Sequence, residues 1–344
     1  MMLGRLADPF VICQPFAAVP GAAGNGPKGD GMKRQRVIAV GSYPEWDNEA
    51  MTQSFALTTV ARLADLADLD PSLRHETIAV AYKGGAAFGA ETMDLLPALG
   101  VIANFGVGYD AIDVDAARAR GIRVTNTPDV LNDDVADTAL AMMLALCRRI
   151  PDGDRFVREG RWRGGDFPLN RKFSGGRAGI MGLGRIGRAI ADRLVGFGME
   201  IHYHSRSAKE VPAGWIFHAT PEGLAAEVDW LVVALVGGAA TERYVSAEVI
   251  ACMPQDAVLV NISRGSTVDE AALIEALEAG RIGAALDVFR NEPDIDPRFL
   301  SLPNVLLQPH QGSGTVETRR AMGELQRANI RAFLTGEPLL TPVA

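Results

Sequence analysis

The chain has 344 residues, 48% of them hydrophobic, which is enough material for two domains with apolar cores. Its formal net charge of −8 argues against a nucleic-acid partner, because no basic surface is available to displace counterions from phosphates. No apolar run approaches the roughly 18 residues that a membrane span requires, so no membrane partner is expected. The three cysteines lie far apart without a C-x-x-C spacing, which is typical of small core or surface residues and favours a reducing cytoplasm. No metal site is predicted.

The first 32 residues differ in composition from the rest, with four prolines and a stretch rich in glycine and alanine. We therefore expect residues 1–32 to be a disordered extension. A signal peptide is an alternative, since Arg5 precedes an apolar segment, but Asp8 and the prolines interrupt the apolar core that such peptides need. Met32 stands just before the first predicted strand, and translation starting there is a further alternative.

After residue 35, short apolar strands alternate with amphipathic segments, which is typical of an α/β fold with parallel sheets. No internal repeat or low-complexity tract marks a domain boundary in this part of the chain. The predicted strands are Val37 to Val40, Thr77 to Ala81, Val101 to Asn104, Ile122 to Thr125, Arg177 to Met181, Met199 to Tyr203, Trp230 to Ala234, Val258 to Asn261, Gly283 to Leu286 and Val305 to Leu307.

A long amphipathic helix is predicted from Asp133 to Arg149, with Asn132 as its N-cap. Apolar residues on or beside this helix share one face, and packing in a core explains them most simply. A subunit interface would need the same surface and is the alternative. The apolar positions are Leu131, Val135, Ala139, Met142 and Leu146.

A glycine-rich turn lies between a predicted strand and the helix-like run Arg188 to Val195. In such a turn the first glycine permits a tight reversal, the second lets the backbone approach a pyrophosphate, and the third allows close helix–strand packing. The pattern alone is a weak signal in a chain with 37 glycines, but its strand–helix–strand context favours a dinucleotide site. The predicted cofactor-binding residues of the turn are Gly182, Gly184, Arg185, Ile186 and Gly187.

The end of the next strand predicts which dinucleotide is bound. An NAD pocket usually has an acidic residue there, which accepts hydrogen bonds from the ribose hydroxyls. Here the strand runs into Ser205, Arg206 and Ser207 with no acid at its tip. A guanidinium binds a 2′-phosphate through paired, charge-assisted hydrogen bonds, so we predict NADP(H), with NAD(H) as the weaker alternative. If this is wrong, Arg206 is an ordinary solvated loop arginine.

Three polar residues, Arg264, Glu292 and His310, each follow a predicted strand. Each has a structural alternative: a loop arginine that binds backbone carbonyls, a solvated turn glutamate and a structural histidine. Because α/β sheets bind ligands at the carboxyl ends of their strands, three such residues at three strand ends favour a site.

Reduction of a 2-oxo acid needs this set of groups. Hydride added to the carbonyl carbon leaves negative charge on oxygen, and histidine is a suitable proton donor near neutral pH. A carboxylate bonded to the other ring nitrogen would orient the ring and favour its protonated form. We therefore predict that Arg264 anchors the substrate carboxylate, His310 donates the proton and Glu292 tunes His310.

These residues and their surroundings resemble the D-isomer-specific 2-hydroxyacid dehydrogenases over nearly everything after residue 35. Similarity to the NADPH-using hydroxypyruvate/glyoxylate reductase branch comes from the segments 127–137 and 312–319 and from the arginine-bearing loop after Tyr203. The family motifs are the glycine turn, Asn261-Ile262-Ser263-Arg264-Gly265, Val268-Asp269-Glu270, Asp287-Val288-Phe289, Glu292-Pro293 and Pro309-His310.

The final predicted helix, Thr315 to Leu334, has no strand after it and is expected to pack back onto the N-terminal domain. We therefore predict two Rossmann-like α/β domains with a cleft between them, the cofactor domain being inserted into a discontinuous substrate domain. The dinucleotide-binding domain is predicted at residues 127–312, and the substrate-binding domain at 33–126 and 313–344.

The resemblance also implies roles outside the three strand ends. Val107 and Gly108 match the loop whose amides hold the substrate carboxylate, although a mobile glycine turn is the alternative. Asp287 matches the residue that contacts the nicotinamide carboxamide, or is a buried structural aspartate. Trp162 and Phe167 are candidates for the substrate pocket or a subunit contact, since the resemblance implies a homodimer.

The leading functional prediction is reduction of hydroxypyruvate or glyoxylate to the D-2-hydroxy acid with NADPH. A dehydrogenase for another D-2-hydroxy acid is one alternative. The other is a dinucleotide-sensing regulatory protein, because the family that the chain resembles includes such co-repressors.

Overall fold

The computed structural model describes residues 34–343, which form a mixed α/β fold with two sheets. Neighbouring strands are parallel throughout both sheets of this part of the chain, which confirms the predicted fold class. The predicted extension at residues 1–32 lies outside the described residues. Within residues 34–343, each helix is too short or too polar to cross a bilayer.

The first sheet has five strands in the order β2-β1-β3-β4-β5. Its inner strands are rich in valine, isoleucine and alanine and are almost completely buried, as expected of a parallel sheet covered on both faces. The strands are β1 (Arg36–Val40), β2 (Ala56–Val60), β3 (Thr77–Tyr82), β4 (Val101–Asn104) and β5 (Arg123–Thr125).

The second sheet has seven strands in the order β12-β11-β10-β9-β6-β7-β8. Three strands that are consecutive in the chain, β10, β11 and β12, are therefore neighbours at one side of it. The strands are β6 (Arg177–Met181), β7 (Glu200–His204), β8 (Ile216–His218), β9 (Trp230–Val233), β10 (Val258–Asn261), β11 (Gly283–Leu286) and β12 (Val305–Leu307).

The helices of the described chain connect the strands and cover the sheets. The two longest, Asn132–Cys147 and Val316–Thr335, each pack against strands. They are α1 (Glu45–Ser54), α2 (Pro71–Glu76), α3 (Ala90–Asp94), α4 (Val114–Ala119), α5 (Asn132–Cys147), α6 (Ile150–Arg158), α7 (Arg185–Val195), α8 (Pro221–Glu227), α9 (Ala247–Cys252), α10 (Glu270–Glu278) and α11 (Val316–Thr335).

All predicted strands form, with ends within one residue of the prediction, but β2 and β8 were not predicted. Both lie at sheet edges. β8 is mostly exposed, and β2 is buried only at its last residue. Neither therefore carries the continuous apolar run that identifies a central parallel strand.

The helix α5 confirms one part of its prediction and corrects another. It begins at Asn132 itself, and Leu131 occupies the N-cap position, so the prediction of Asn132 as the N-cap is wrong. The Asn132 side chain instead donates a hydrogen bond to Asp129 (3.3 Å). The helix packs against α7, β11 and β12, with Ala139 and Met142 fully buried, which confirms core packing as the reason for its apolar face.

The last helix, α11, packs against the first sheet, as predicted. Buried Gln326 donates from Nε2 to the carbonyl of Ala103 on β4 (2.7 Å) and to the hydroxyl of Tyr43 (3.1 Å). Arg327 forms an ion pair with Asp47 of α1, which is also buried. These polar contacts fix α11 on the sheet, because the buried polar groups would lose their partners if the helix moved.

The glycine turn after β6 has the shape expected from its sequence. Gly182 has φ +100°, and a Cβ there would lie 2.6 Å from the carbonyl oxygen of Ala234. A Cβ on Gly187 would lie 2.2 Å from the carbonyl oxygen of Gly182, whereas Gly184 faces open space. The first and third glycines therefore shape the turn, and the second leaves an open cradle at the N-terminus of α7.

This geometry predicts different effects for two alanine substitutions. Gly187→Ala should lower the free energy of unfolding by about 1–3 kcal/mol, because the added methyl group overlaps a backbone carbonyl. Gly184→Ala should change it by less than about 0.5 kcal/mol, because no atom occupies that space. Urea unfolding followed by circular dichroism measures both values. Equal losses in the two variants would contradict the proposed roles of these glycines.

Candidate active site

The three predicted catalytic residues follow three neighbouring strands of the second sheet. Arg264 comes after β10, Glu292 after β11 and His310 after β12, and these strands lie side by side. Because the strands are parallel, their carboxyl ends meet at one edge of the sheet. The fold thus brings together residues that are far apart in the sequence.

His310 and Glu292 form a direct hydrogen bond, with 2.7 Å between His310 Nδ1 and Glu292 Oε2. The other carboxylate oxygen, Oε1, accepts a hydrogen bond from the backbone N–H of Phe289 (2.8 Å). An ionised carboxylate only accepts hydrogen bonds, so Nδ1 carries a proton. This leaves Nε2 of His310 available to a ligand.

The pKa of Glu292 reflects the competition between burial and its partners. Partial burial raises the pKa, but the hydrogen bond and charge of His310, the Phe289 N–H and the charge of Arg264 together bring it below its usual value. Since the folded-state pKa is lowered, the ionised group stabilises the fold above its ordinary pKa, and this contribution is lost as the pH falls through the lowered value.

Asp287 holds the segment that carries His310. It is only 2% exposed, and its carboxylate oxygens accept hydrogen bonds from the backbone N–H groups of Gln311 (2.6 Å) and Gly312 (2.8 Å). The carbonyl oxygen of Asp287 accepts a hydrogen bond from the backbone N–H of His310 (2.9 Å). The backbone of His310 is in the left-handed region, with φ +53°. Burial raises the pKa of Asp287, and the two N–H groups oppose that rise.

Arg264 contacts the loop that follows β4 in the first sheet. Its Nε donates to Asp110 Oδ1 (3.2 Å), and its Nη1 donates to the carbonyl of Ser263 (2.8 Å). A Cβ added to Gly108 would lie 1.9 Å from Nη2 of Arg264, so only glycine leaves room for the guanidinium there. The carboxyl edges of both sheets therefore meet at Arg264.

Two asparagines fix the carbonyls of this loop. Asn104 Nδ2 donates to the carbonyls of Gly106 (3.1 Å) and Gly108 (2.9 Å), and Asn126 Nδ2 donates to that of Val107 (2.9 Å). Among the residues that the structure describes, the backbone N–H groups of Val107 and Gly108 have no hydrogen-bond acceptor. The loop is thus suited to bind an anion through these amides, beside the guanidinium of Arg264.

The end of β7 presents hydroxyl groups and a cation without a nearby acid. The Ser205 hydroxyl donates to the carbonyl of Ser207 (2.6 Å), and Arg206 is exposed. Arg206 has no carboxylate within 4.0 Å in residues 34–343, whereas Arg185 of the glycine turn is paired with Asp129 (3.0 Å). Arg206 is therefore free to bind a ligand.

Asp110 and a histidine network are features that sequence reasoning missed. Asp110 lies two residues after Gly108, but no sequence pattern indicated its contact with Arg264. In the network, His204 Nε2 lies 2.7 Å from the Tyr244 hydroxyl, and His202 Nδ1 lies 2.8 Å from His218 Nε2. These contacts brace the end of β7 beside residues 205–207.

The match to a known family is clear in sequence. Residues 140–312 match the family model of the D-isomer specific 2-hydroxyacid dehydrogenase NAD binding domain. A hydroxyphenylpyruvate reductase of Plectranthus scutellarioides is 47% identical over 79% of this chain and 87% of its own length. A 2-ketogluconate reductase of Gluconobacter oxydans is 44% identical over 86% of this chain and 94% of its own.

A solved structure has a similar fold. The NADPH-dependent glyoxylate/hydroxypyruvate reductase of Sinorhizobium meliloti, in complex with NADP and malonate, is 44% identical, with a TM-score of 0.86. The match covers 90% of this chain and 97% of that one. With these identities over most of both chains, the chain belongs to the D-isomer specific 2-hydroxyacid dehydrogenase family.

Proposed function

We propose that the chain reduces a small 2-oxo acid, hydroxypyruvate or glyoxylate, to the D-2-hydroxy acid with NADPH. The observation that carries the proposal is the hydrogen-bonded His310–Glu292 pair beside Arg264 at one sheet edge. The similar proteins named above are reductases of 2-oxo acids or a 2-keto sugar acid, which supports this class of reaction.

Arg264 and the loop after β4 would bind the substrate carboxylate. The N–H groups of Val107 and Gly108 supply two donors, and Arg264 supplies a permanent positive charge. Nε of Arg264 already donates to Asp110, so Nη2 of Arg264, which lies against Gly108, is the donor beside the loop amides. These groups would fix the substrate with its carbonyl near His310.

His310 would supply the proton. When bound, NADPH supplies a hydride to the carbonyl carbon of the substrate. Nε2 of the protonated imidazole donates its proton to the carbonyl oxygen, and Glu292 stabilises the protonated ring through Nδ1. The role proposed for Glu292 is therefore positioning and electrostatic, not proton transfer to the substrate.

The residues present fit a phosphorylated dinucleotide. The open space at Gly184 would admit the pyrophosphate to the N-terminus of α7, where Arg185, Ile186 and Gly187 begin the helix. Arg206, with the Ser205 and Ser207 hydroxyls, would bind the 2′-phosphate, because no acidic residue stands there to repel it. The similar S. meliloti reductase is in complex with NADP.

The segment after α5 supports a homodimer. Val157 and Trp162 are 54% and 64% exposed, and Leu169 is fully exposed. Phe167 packs on Phe156 of α6, with 5.3 Å between ring centroids, so the segment is internally ordered while its large apolar side chains face outward. Several large exposed apolar side chains on one segment favour a protein–protein contact there.

Charge reversal at Arg206 tests the choice of cofactor. Arg206→Glu should lower kcat/KM for NADPH by about tenfold or more, since it removes a charge-assisted contact and adds repulsion, while kcat/KM for NADH should not fall. Steady-state kinetics with both cofactors measure the ratio. Arg118→Glu, at an exposed arginine on α4, is the control for charge reversal alone. A higher kcat/KM of the wild type with NADH than with NADPH would contradict the NADPH proposal.

The catalytic pair should separate from the substrate anchor in kinetics. His310→Gln should reduce kcat by about 100-fold or more with little change in KM, because it removes the proton donor. Arg264→Gln should raise the KM for hydroxypyruvate by about tenfold or more and also lower kcat. If both variants show the same small loss in kcat/KM, the site lies elsewhere.

The pH profile tests Glu292. Glu292→Gln keeps the shape of the side chain but removes the charge that favours protonated His310. The pH at which kcat for reduction declines on the alkaline side should therefore shift downward, and kcat at neutral pH should fall by about tenfold or more. An unchanged pH profile would show that Glu292 does not act through His310.

A further inference from the structure

We propose that Lys83 and Arg319 form a second anion-binding site in the same cleft, which recognises a second carboxylate at the far end of the 2-oxo acid. This inference rests on the proposed function and adds 2-oxo diacids to its substrates, since hydroxypyruvate and glyoxylate each carry a single carboxylate. Neither residue belongs to the catalytic set described above, although Arg319 ends the segment 312–319 that contributes to the family resemblance. Both are half-buried cations at the carboxyl edge of the first sheet.

The position of Lys83 follows from the topology of the first sheet. Lys83 comes directly after β3, Tyr43 follows β1, and Phe105 follows β4. These strands are parallel neighbours, so the three residues meet at one edge. The ammonium of Lys83 lies 5.2 Å from the ring centroid of Phe105 and 5.4 Å from that of Tyr43.

Arg319 approaches the same ring from the first turns of α11. Its guanidinium lies 5.8 Å from the ring centroid of Phe105. Burial lowers the pKa of Arg319, and the charge of Asp287 opposes that shift. Burial and the charge of Arg319 likewise lower the pKa of Lys83. Two like charges therefore lie within 5.8 Å of one ring centroid, in partly buried positions.

The described protein supplies no carboxylate to neutralise this pair. Within residues 34–343, neither cation has an acidic oxygen within 4.0 Å. Asp287, the acid that acts on Arg319, already uses both of its oxygens on the backbone N–H groups of Gln311 and Gly312. Lys83 donates one hydrogen bond, to the carbonyl of Ser42 (2.6 Å), and an ammonium has three protons. The remaining donors suit an anionic ligand.

The second site lies within reach of the first. Phe105 and Gly108 belong to one loop, and their Cα atoms are at most about 11 Å apart because three peptide units separate them. Gly108 touches Arg264, and Phe105 touches Lys83 and Arg319. A short 2-oxo acid with carboxylates at both ends would therefore have a cationic partner for each, Arg264 at Gly108 and the Lys83–Arg319 pair at Phe105.

Matched substrates test the inference through a ratio. 2-Oxobutanoate and 2-oxobutanedioate differ by one distal carboxylate, as do 2-oxopentanoate and 2-oxopentanedioate. In Lys83→Met the ratio of kcat/KM for diacid to monoacid should fall about tenfold or more, whereas Lys83→Arg should retain at least a third of the wild-type ratio. A purely structural Lys83 would lower both members of each pair equally, and an unchanged ratio would overturn the proposal.

Ligand titration separates this inference from the proposed function. Butanedioate and butanoate are titrated by calorimetry into the NADPH-loaded protein, with no turnover required. The wild type should bind the diacid about tenfold tighter or more, and Lys83→Met and Lys83→Gln should erase that difference. If hydroxypyruvate is reduced but the difference is absent or survives both substitutions, the second site is refuted and the function stands. If the difference behaves as expected but no 2-oxo acid is reduced, the function is wrong and the site stands.

Discussion

The contact between Arg264 and the loop after β4 is the interaction on which the site depends. Arg264 belongs to the second sheet, and its partners Gly108 and Asp110 belong to the first. One side chain therefore joins the carboxyl edges of two sheets, which is where α/β folds bind ligands. The absence of a Cβ at Gly108 makes the contact sterically feasible, and the ion pair with Asp110 orients the guanidinium. This contact places the N–H groups of the loop beside the guanidinium of Arg264.

The charges around this contact form two groups of opposite sign. The loop amides, Arg264 and the Lys83–Arg319 pair favour anions, whereas Glu292 and Asp287 are directed at His310 and its segment. Asp287 shapes the backbone at His310, and Glu292 sets the proton on its ring. A 2-oxo acid matches this division, because it carries an anionic carboxylate beside a neutral carbonyl oxygen that can accept a proton.

The sequence predicted the fold class, the central strands and the Glu292–His310 pairing partners, because these depend on local patterns: continuous apolar strands, a glycine turn and polar residues at strand ends. The edge strands β2 and β8 were not predicted, because both are only partly buried and neither shows the apolar pattern that identifies a strand. Asp110, Lys83 and Arg319 were also missed. Their proximity arises from the meeting of distant strand ends and α11, and a lone charged residue in the sequence carries no sign of that.

Isotope transfer tests the central claim most directly. Hydroxypyruvate or glyoxylate is incubated with the protein and NADPH carrying deuterium at C4 of the nicotinamide, and the product is analysed by mass spectrometry and, for glycerate, by chiral chromatography. Direct hydride transfer at this site predicts one deuterium at C2 of the product and D-glycerate as the single enantiomer. The two forms of NADPH that carry deuterium on opposite faces of C4 are used in separate reactions. If neither form gives deuterated product, or if the product is L-glycerate, the claim is contradicted.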